Sequence, residues 1–219
     1  MILGKLDWLL FASEIGALIC GLFFVKKLKQ TIWITFPFYF LFIVICETIG
    51  NWSRVNNHFQ LNQILYQFLV IPTEFVFFFW IFYKSFKKNW QKKTSILFVI
   101  TYLIVTVINS LFLGNKTFVF YSISYTIGNL LLLVQIIIYF LQLMNSSDLL
   151  KFKTNILFWV SLGLLIFYLG TFPYFGLINI LYKDYKNIYL IYRDVVMVLD
   201  AVMYLMFAIS FIWGKPTNT

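Results

Sequence analysis

Seven runs of about twenty mostly apolar residues follow one another along the chain, near 7–25, 32–50, 62–83, 94–114, 118–143, 155–181 and 188–213. As helices rising about 1.5 Å per residue, such runs match the roughly 30 Å hydrocarbon layer of a bilayer. Polar and apolar positions do not alternate within them. Phe75 to Phe82 is apolar throughout, whereas a barrel strand would place a polar residue at every second position. The pattern predicts an all-α, polytopic membrane bundle of seven transmembrane helices, forming one domain over 1–219. The fifth and sixth runs are long enough to tilt or protrude. No linker or low-complexity segment divides the chain.

Composition agrees: 62% of residues are hydrophobic, 22% aromatic and 11% charged, and the mean hydropathy is +0.87. A soluble domain of 219 residues needs more polar surface than this. The net charge of +9 changes meaning once it is placed on the seven spans. Lys26, Lys27 and Lys29 follow the first span, and Lys84, Lys87, Lys88, Lys92 and Lys93 follow the third. Lys151 and Lys153 follow the fifth, and Lys215 follows the seventh. Eleven of seventeen basic residues thus share one side, leaving Lys5, Arg54, Lys116, Lys183, Lys186 and Arg193. The positive-inside rule then places the N-terminus outside and the C-terminus in the cytoplasm, as expected for a multi-pass protein of the inner (plasma) membrane. The surplus reports topology and contact with anionic lipid, not nucleic-acid binding. Asp7 and Glu14 interrupt the first run and no A-x-A site follows, so it is a retained helix and not a signal peptide. Cys20 and Cys46 both fall in spans, where packing is their expected role.

Four of the eight acidic residues lie where acids are costly. Glu14, Glu74 and Asp200 are inside spans, and Glu47 is near the end of one, close enough to Asn51 to reach the interface. A charged side chain at bilayer depth costs roughly 2.5–3.5 kcal/mol on the insertion scale, so such residues face a bundle interior and mark a functional path. The expected topology puts Glu14 and Asp200 in the outer half and Glu74 near the middle. Arg193 shares a face with Met197 and Asp200, at i, i+4 and i+7. Tyr66, Gln67, Thr126, Asn129, Gln135, Tyr168, Thr171 and Tyr192 supply uncharged polar groups at similar depths. If all four acids converged, Arg193 alone would leave three negative charges uncompensated, to be relieved by protons or a bound cation. The expectation is an outward-biased polar pocket for a small cationic or protonatable ligand, built from Glu14, Glu74, Asp200, Arg193, Tyr66, Asn129 and Glu47. The bland alternative is that the acids only hydrogen-bond across helices to Tyr, Asn or Thr.

Local features refine this. Ser13, Ala17 and Gly21, spaced by four, form a small-residue stripe beside Glu14, with Gly16 and Cys20 adjacent. Pro37, Pro72 and Pro173 fall inside spans; Pro72, two residues before Glu74, is the one placed to open a pocket. Ile64-Leu65-Tyr66 precedes Glu74 by the same interval as Leu190-Ile191-Tyr192 precedes Asp200, and Ile15-Gly16 aligns with Ile127-Gly128. The match fits a parallel 3+1+3 repeat that places Glu74 and Asp200 at similar depth, and it also fits chance alignment of apolar helices.

Several chemistries find no support. His58, the sole histidine, falls in an outer loop, and H-E-x-x-H, C-x-x-C, G-x-S-x-G and the G-x-x-x-x-G-K-[ST] loop are all absent. The seventh span has no mid-span lysine for a retinal Schiff base. No enzyme activity, cofactor or metal is expected. Asn51-Trp52-Ser53 and Asn115-Lys116-Thr117 match short glycosylation sequons on the outer side.

The stretch from Tyr66-Gln67-Phe68 through Glu74-Phe75 to Lys84, and the stretch Phe158-Trp159-Val160-Ser161-Leu162-Gly163-Leu164-Leu165-Ile166-Phe167-Tyr168-Leu169-Gly170, resemble small uncharacterised seven-transmembrane proteins of flavobacteria and their relatives. The Lys-, Asn-, Ile- and Phe-rich composition is similar to theirs. Some of those proteins look like detached seven-span input regions of sensor kinases, which implies a sensory role and assigns no catalytic residue. The 3+1+3 plan also resembles rhodopsin and sugar-transporter bundles, although the paired prolines of the latter are not in matching places. Three functions remain open. A small-ligand sensor would use the outer pocket and offer Lys84–Lys93 to a cytoplasmic protein partner. A proton- or cation-coupled secondary transporter would reach the same acids from both sides. A membrane accessory or effector, for example of a defence operon, would need no ligand.

Overall fold

A computed structural model describes residues 4–113, 122–146 and 152–215. Seven helices long and apolar enough to span a membrane account for most of them: α1 Lys5–Phe23, α2 Ile32–Val55, α3 Phe59–Ser85, α4 Asn89–Leu111, α5 Ser122–Met144, α6 Ile156–Asp184 and α7 Lys186–Trp213. No strand occurs among the described residues. The start of the fifth predicted span at 118, Lys151, and the sequon Asn115-Lys116-Thr117 lie outside them.

The helices outrun several apolar runs because their polar ends find partners. α2 continues five residues past the expected 50, and there Arg54 donates to Asp7 at 3.1 Å and to Asn51. Asn51 therefore sits within a helix, engaged with Arg54, and not in the loop that its sequon suggests. The turn into α3 is closed by Ser53, whose Oγ donates to the His58 carbonyl at 2.6 Å. Asn57 takes the left-handed conformation there (φ 61°), which asparagine tolerates. At the start of α4, Gln91 accepts from the Lys88 backbone N–H, drawing Lys92 and Lys93 into the helix.

The helices close into a ring in chain order. α1 packs on both α2 and α7, α7 lies most extensively along α6, and α3 reaches across to α5 as well as α4. α1 uses the small-residue stripe: Ser13, Ala17 and Gly21 are buried together with Glu14, while Gly16 is exposed. A Cβ on Gly21 would stand 3.2 Å from Pro37 and 3.7 Å from both Phe40 and Phe211, so the stripe sets the approach to α2 and α7. At the carboxyl end, the Lys215 N–H donates to the Thr154 carbonyl at 2.6 Å and ties the end of α7 to the start of α6.

The lysine-bearing half of the bundle holds a dense aromatic core. Phe36, Phe40, Phe78, Phe207 and Phe211 are fully buried, and Phe36 meets the other four at ring separations of 5.7–6.5 Å. Tyr39 stacks on Phe77 at 4.3 Å. Such pairs add about 0.5–1.5 kcal/mol each beyond area burial. Ile19, Phe23, Leu103, Ile104, Ile137 and Leu169 are exposed apolar residues that suit a lipid-facing coat.

Pro37 lies in the first α-helical turn of α2, where no hydrogen bond is lost, and Pro173 lies in the interior of α6. Pro72 behaves differently. The five residues Tyr66–Val70, ending two positions before it, form a π turn, and the Ile71 N–H reaches back to the Tyr66 carbonyl. Proline lacks the N–H that would continue the α ladder, and the chain absorbs the gap by widening the turn.

Candidate functional site

A cavity of about 730 Å³ occupies the half of the bundle where α1, α3, α5 and α7 begin. Every predicted acid lines it: Glu14 on α1, Glu47 on α2, Glu74 on α3 and Asp200 on α7. The spacing within each helix explains this convergence. Asp7, Leu10 and Glu14 follow one face of α1, and Ile43, Glu47 and Arg54 follow one face of α2. On α3 the lining pairs Asn62/Gln63, Tyr66/Gln67 and Val70/Ile71 recur every four residues, ending at Glu74. Four residues overshoot an α-helical turn by about 40°. The π turn at Tyr66–Val70 takes back part of that overshoot and keeps the series over the cavity.

The acids occupy successive levels. At the rim, Arg54 pairs with Asp7 at 3.1 Å. Deeper come Glu14 and Glu47, the latter accepting a hydrogen bond from the Tyr66 hydroxyl. Glu74 is eight residues beyond Tyr66, roughly 12 Å farther along the helix, and accepts from the Tyr168 hydroxyl at 2.8 Å. Asp200 stands one turn above Tyr204, which closes the lower end of the cavity against Phe40 at 6.0 Å and Phe207 at 5.8 Å. Phe36, Phe40, Phe78, Phe207 and Phe211 then fill the space below.

Glu14 is the unusual member. It is 2% exposed, and its Oε2 has no hydrogen-bond partner although it borders the cavity. Glu47, Asp200 and Glu74 all act on it electrostatically. An unpaired buried carboxylate oxygen is a costly arrangement unless something else meets it.

Glu47, one of the seven expected pocket residues, lines the cavity and is held there by Tyr66. Two other expectations need correction. Arg193 does not line the cavity: close to the start of α7 its guanidinium reaches outward to Asp194 at 3.0 Å, with 43% of the side chain exposed. Asn129 is fully buried and donates to the Tyr168 carbonyl at 3.1 Å, so it supports the helix that carries the Glu74 partner without touching the cavity. The compensating cation is instead Arg54. It lies seven residues after Glu47, a helical spacing that marks it as cavity-facing. Asp7, seven residues before Glu14, carries the same signal. The tyrosines Tyr125, Tyr182 and Tyr189 also line the cavity, and nothing separates them in sequence from the other abundant aromatics.

The repeat has mixed support. Glu74 and Asp200 face one cavity, as the alignment expects. Gly16 is exposed while Gly128 packs with its open face against the rings of Tyr102 and Phe75. Tyr66 holds Glu47, but Tyr192 stacks on Tyr174 at 5.5 Å away from the cavity lining.

Gly50 makes room for the Tyr66–Glu47 contact. A Cβ there would stand 2.8 Å from the Tyr66 hydroxyl oxygen. No group of three His, Cys, Asp or Glu residues among those described is placed to hold one metal ion. Five carboxylates and one guanidinium line the cavity, so the acids outnumber the cation by four. The arrangement can bind positive charge, or exchange protons with it, inside a partly aromatic wall. The chain is an integral membrane protein of seven helices; no protein-family model, curated protein or solved structure matches it.

Proposed function

We propose that the chain is a receptor-like sensor module of the inner (plasma) membrane, without catalytic activity, that captures a small cationic or protonatable ligand from outside. The observation that carries this reading is the buried, unpartnered Glu14 oxygen bordering a cavity whose acids outnumber its one cation by four. The lysine distribution supports an outward-facing mouth, since the cavity lies at the end opposite Lys26, Lys84 and Lys92. The aromatic floor favours sensing over transport, because a transporter would have to part five fully buried phenylalanines in every cycle. In this reading Lys84–Lys93 meets a cytoplasmic protein partner.

Two measurements test it. In purified protein, ammonium compounds raise the unfolding temperature, and Glu74→Gln and Asp200→Asn each weaken that effect. An unchanged response in both variants removes the acids from the site. In proteoliposomes the same compounds bind without counterflow; exchange that depends on Glu74 would instead establish the transporter.

A further inference from the structure

We infer that the cavity is built for an elongated dication, a linear diamine or polyamine, with its two ammonium groups held at different depths. This rests on the reading of the cavity as a cation site and specifies its ligand. Three observations lead to it.

The first is the charge. Glu14, Glu47, Glu74 and Asp200 line the cavity, and the two terminal nitrogens of Arg54 donate to Asp7 and Asn51. A single ammonium meets the acids of one level and leaves the others to hold protons, whereas a dication meets both levels.

The second is distribution. The acids do not gather around one point that could hold a metal ion. Glu47 is held at the level of Tyr66, and Glu74 lies roughly 12 Å farther along α3. Two of them already accept a tyrosine hydroxyl, which fixes their orientation, while Glu14 keeps a free oxygen at the upper level. A compact cation held at one level leaves the other to a second group. A flexible chain with an ammonium at each end serves both.

The third is the wall between the levels. Val70, Ile71, Phe167 and Met197 offer apolar surface suited to a methylene chain, and Tyr125 and Tyr204 present rings to which ammonium groups are attracted. A cavity of about 730 Å³ is also generous for a single small ammonium ion.

The test uses the full-length protein in nanodiscs. Binding of putrescine, cadaverine and spermidine is compared with binding of butylamine and pentylamine, which have the chain lengths of the two diamines but one charge. The diamines are expected to bind at least tenfold more tightly than the monoamines. Glu14→Gln with Glu47→Gln should bring cadaverine down to the affinity of pentylamine. Equal affinity of cadaverine and pentylamine for the unaltered protein overturns the two-level inference and leaves the cation site standing. Absence of binding by every amine overturns both. The comparison on the unaltered chain decides the matter even if the double variant does not fold.

Discussion

Replacing Glu14 by methionine separates a ligand-holding role from a bundle-holding one. The side chain is 2% exposed, and Oε2 lacks a partner. A buried polar group without its hydrogen bond costs about 1–3 kcal/mol, and more if charged. Methionine keeps a similar length and fills the space with apolar, adaptable atoms. The empty protein should therefore gain about 1–3 kcal/mol. For a chain of this size each kcal/mol moves the unfolding midpoint by about 2–4 °C, so the rise amounts to several degrees. Stabilisation by cadaverine should fall at the same time. Thermal unfolding in one fixed detergent, with and without cadaverine, reads both effects. The two signs are opposite, which is the point of the experiment. A lower midpoint for the empty variant would refute the reasoning and make Glu14 a strut between α1 and its neighbours.

Gly50→Val should destabilise by about 1–3 kcal/mol through overpacking against Tyr66, whereas Tyr66→Phe should cost only about 0.6 kcal/mol, an average membrane hydrogen bond; denaturation in mixed micelles compares them. Arg54→Gln leaves Asp7 unpaired and makes the rim more negative, so cadaverine should bind more tightly at low ionic strength. That gain should vanish near 1 M salt, where the screening length is about 3 Å, as isothermal titration would report. Phe36→Ala removes the ring at the centre of the floor and should cost about 3–5 kcal/mol; an accompanying cadaverine leak in proteoliposomes would show that the floor is the barrier to passage.

What the sequence disclosed divides by physical cause. The seven helices were legible because lipid demands long apolar runs, and the four acids because their cost in lipid leaves few alternative placements. Helix ends were less legible. Asn51 and Arg54 fall past the apolar run, and only Asp7 on the neighbouring helix shows why the helix continues through them. The tyrosines of the cavity were hidden for another reason. In a chain with fourteen tyrosines and twenty-seven phenylalanines, ring type carries no positional information, and only packing separates Tyr125 from Tyr192. Arg193 misled because helical spacing fixes a face but not how far along it a long side chain travels. Asp194, one residue away, captures the guanidinium first.

The π turn in α3 has a consequence for how this protein can vary. The widened turn from Tyr66 to Val70 holds surplus backbone that a regular α-helix would not accommodate. Deleting one residue there would let an ordinary helix run through with its two ends at nearly the same angle, because the widened turn already absorbs that residue. An insertion has no such slack and would swing everything before it by about 100°. Tyr66 would leave Glu47, Asn62 and Gln63 would turn from the cavity, and Glu74 would stay in place. The upper and lower halves of the site are thus indexed to each other by a count of residues, and this segment of α3 should tolerate a single deletion far better than an insertion.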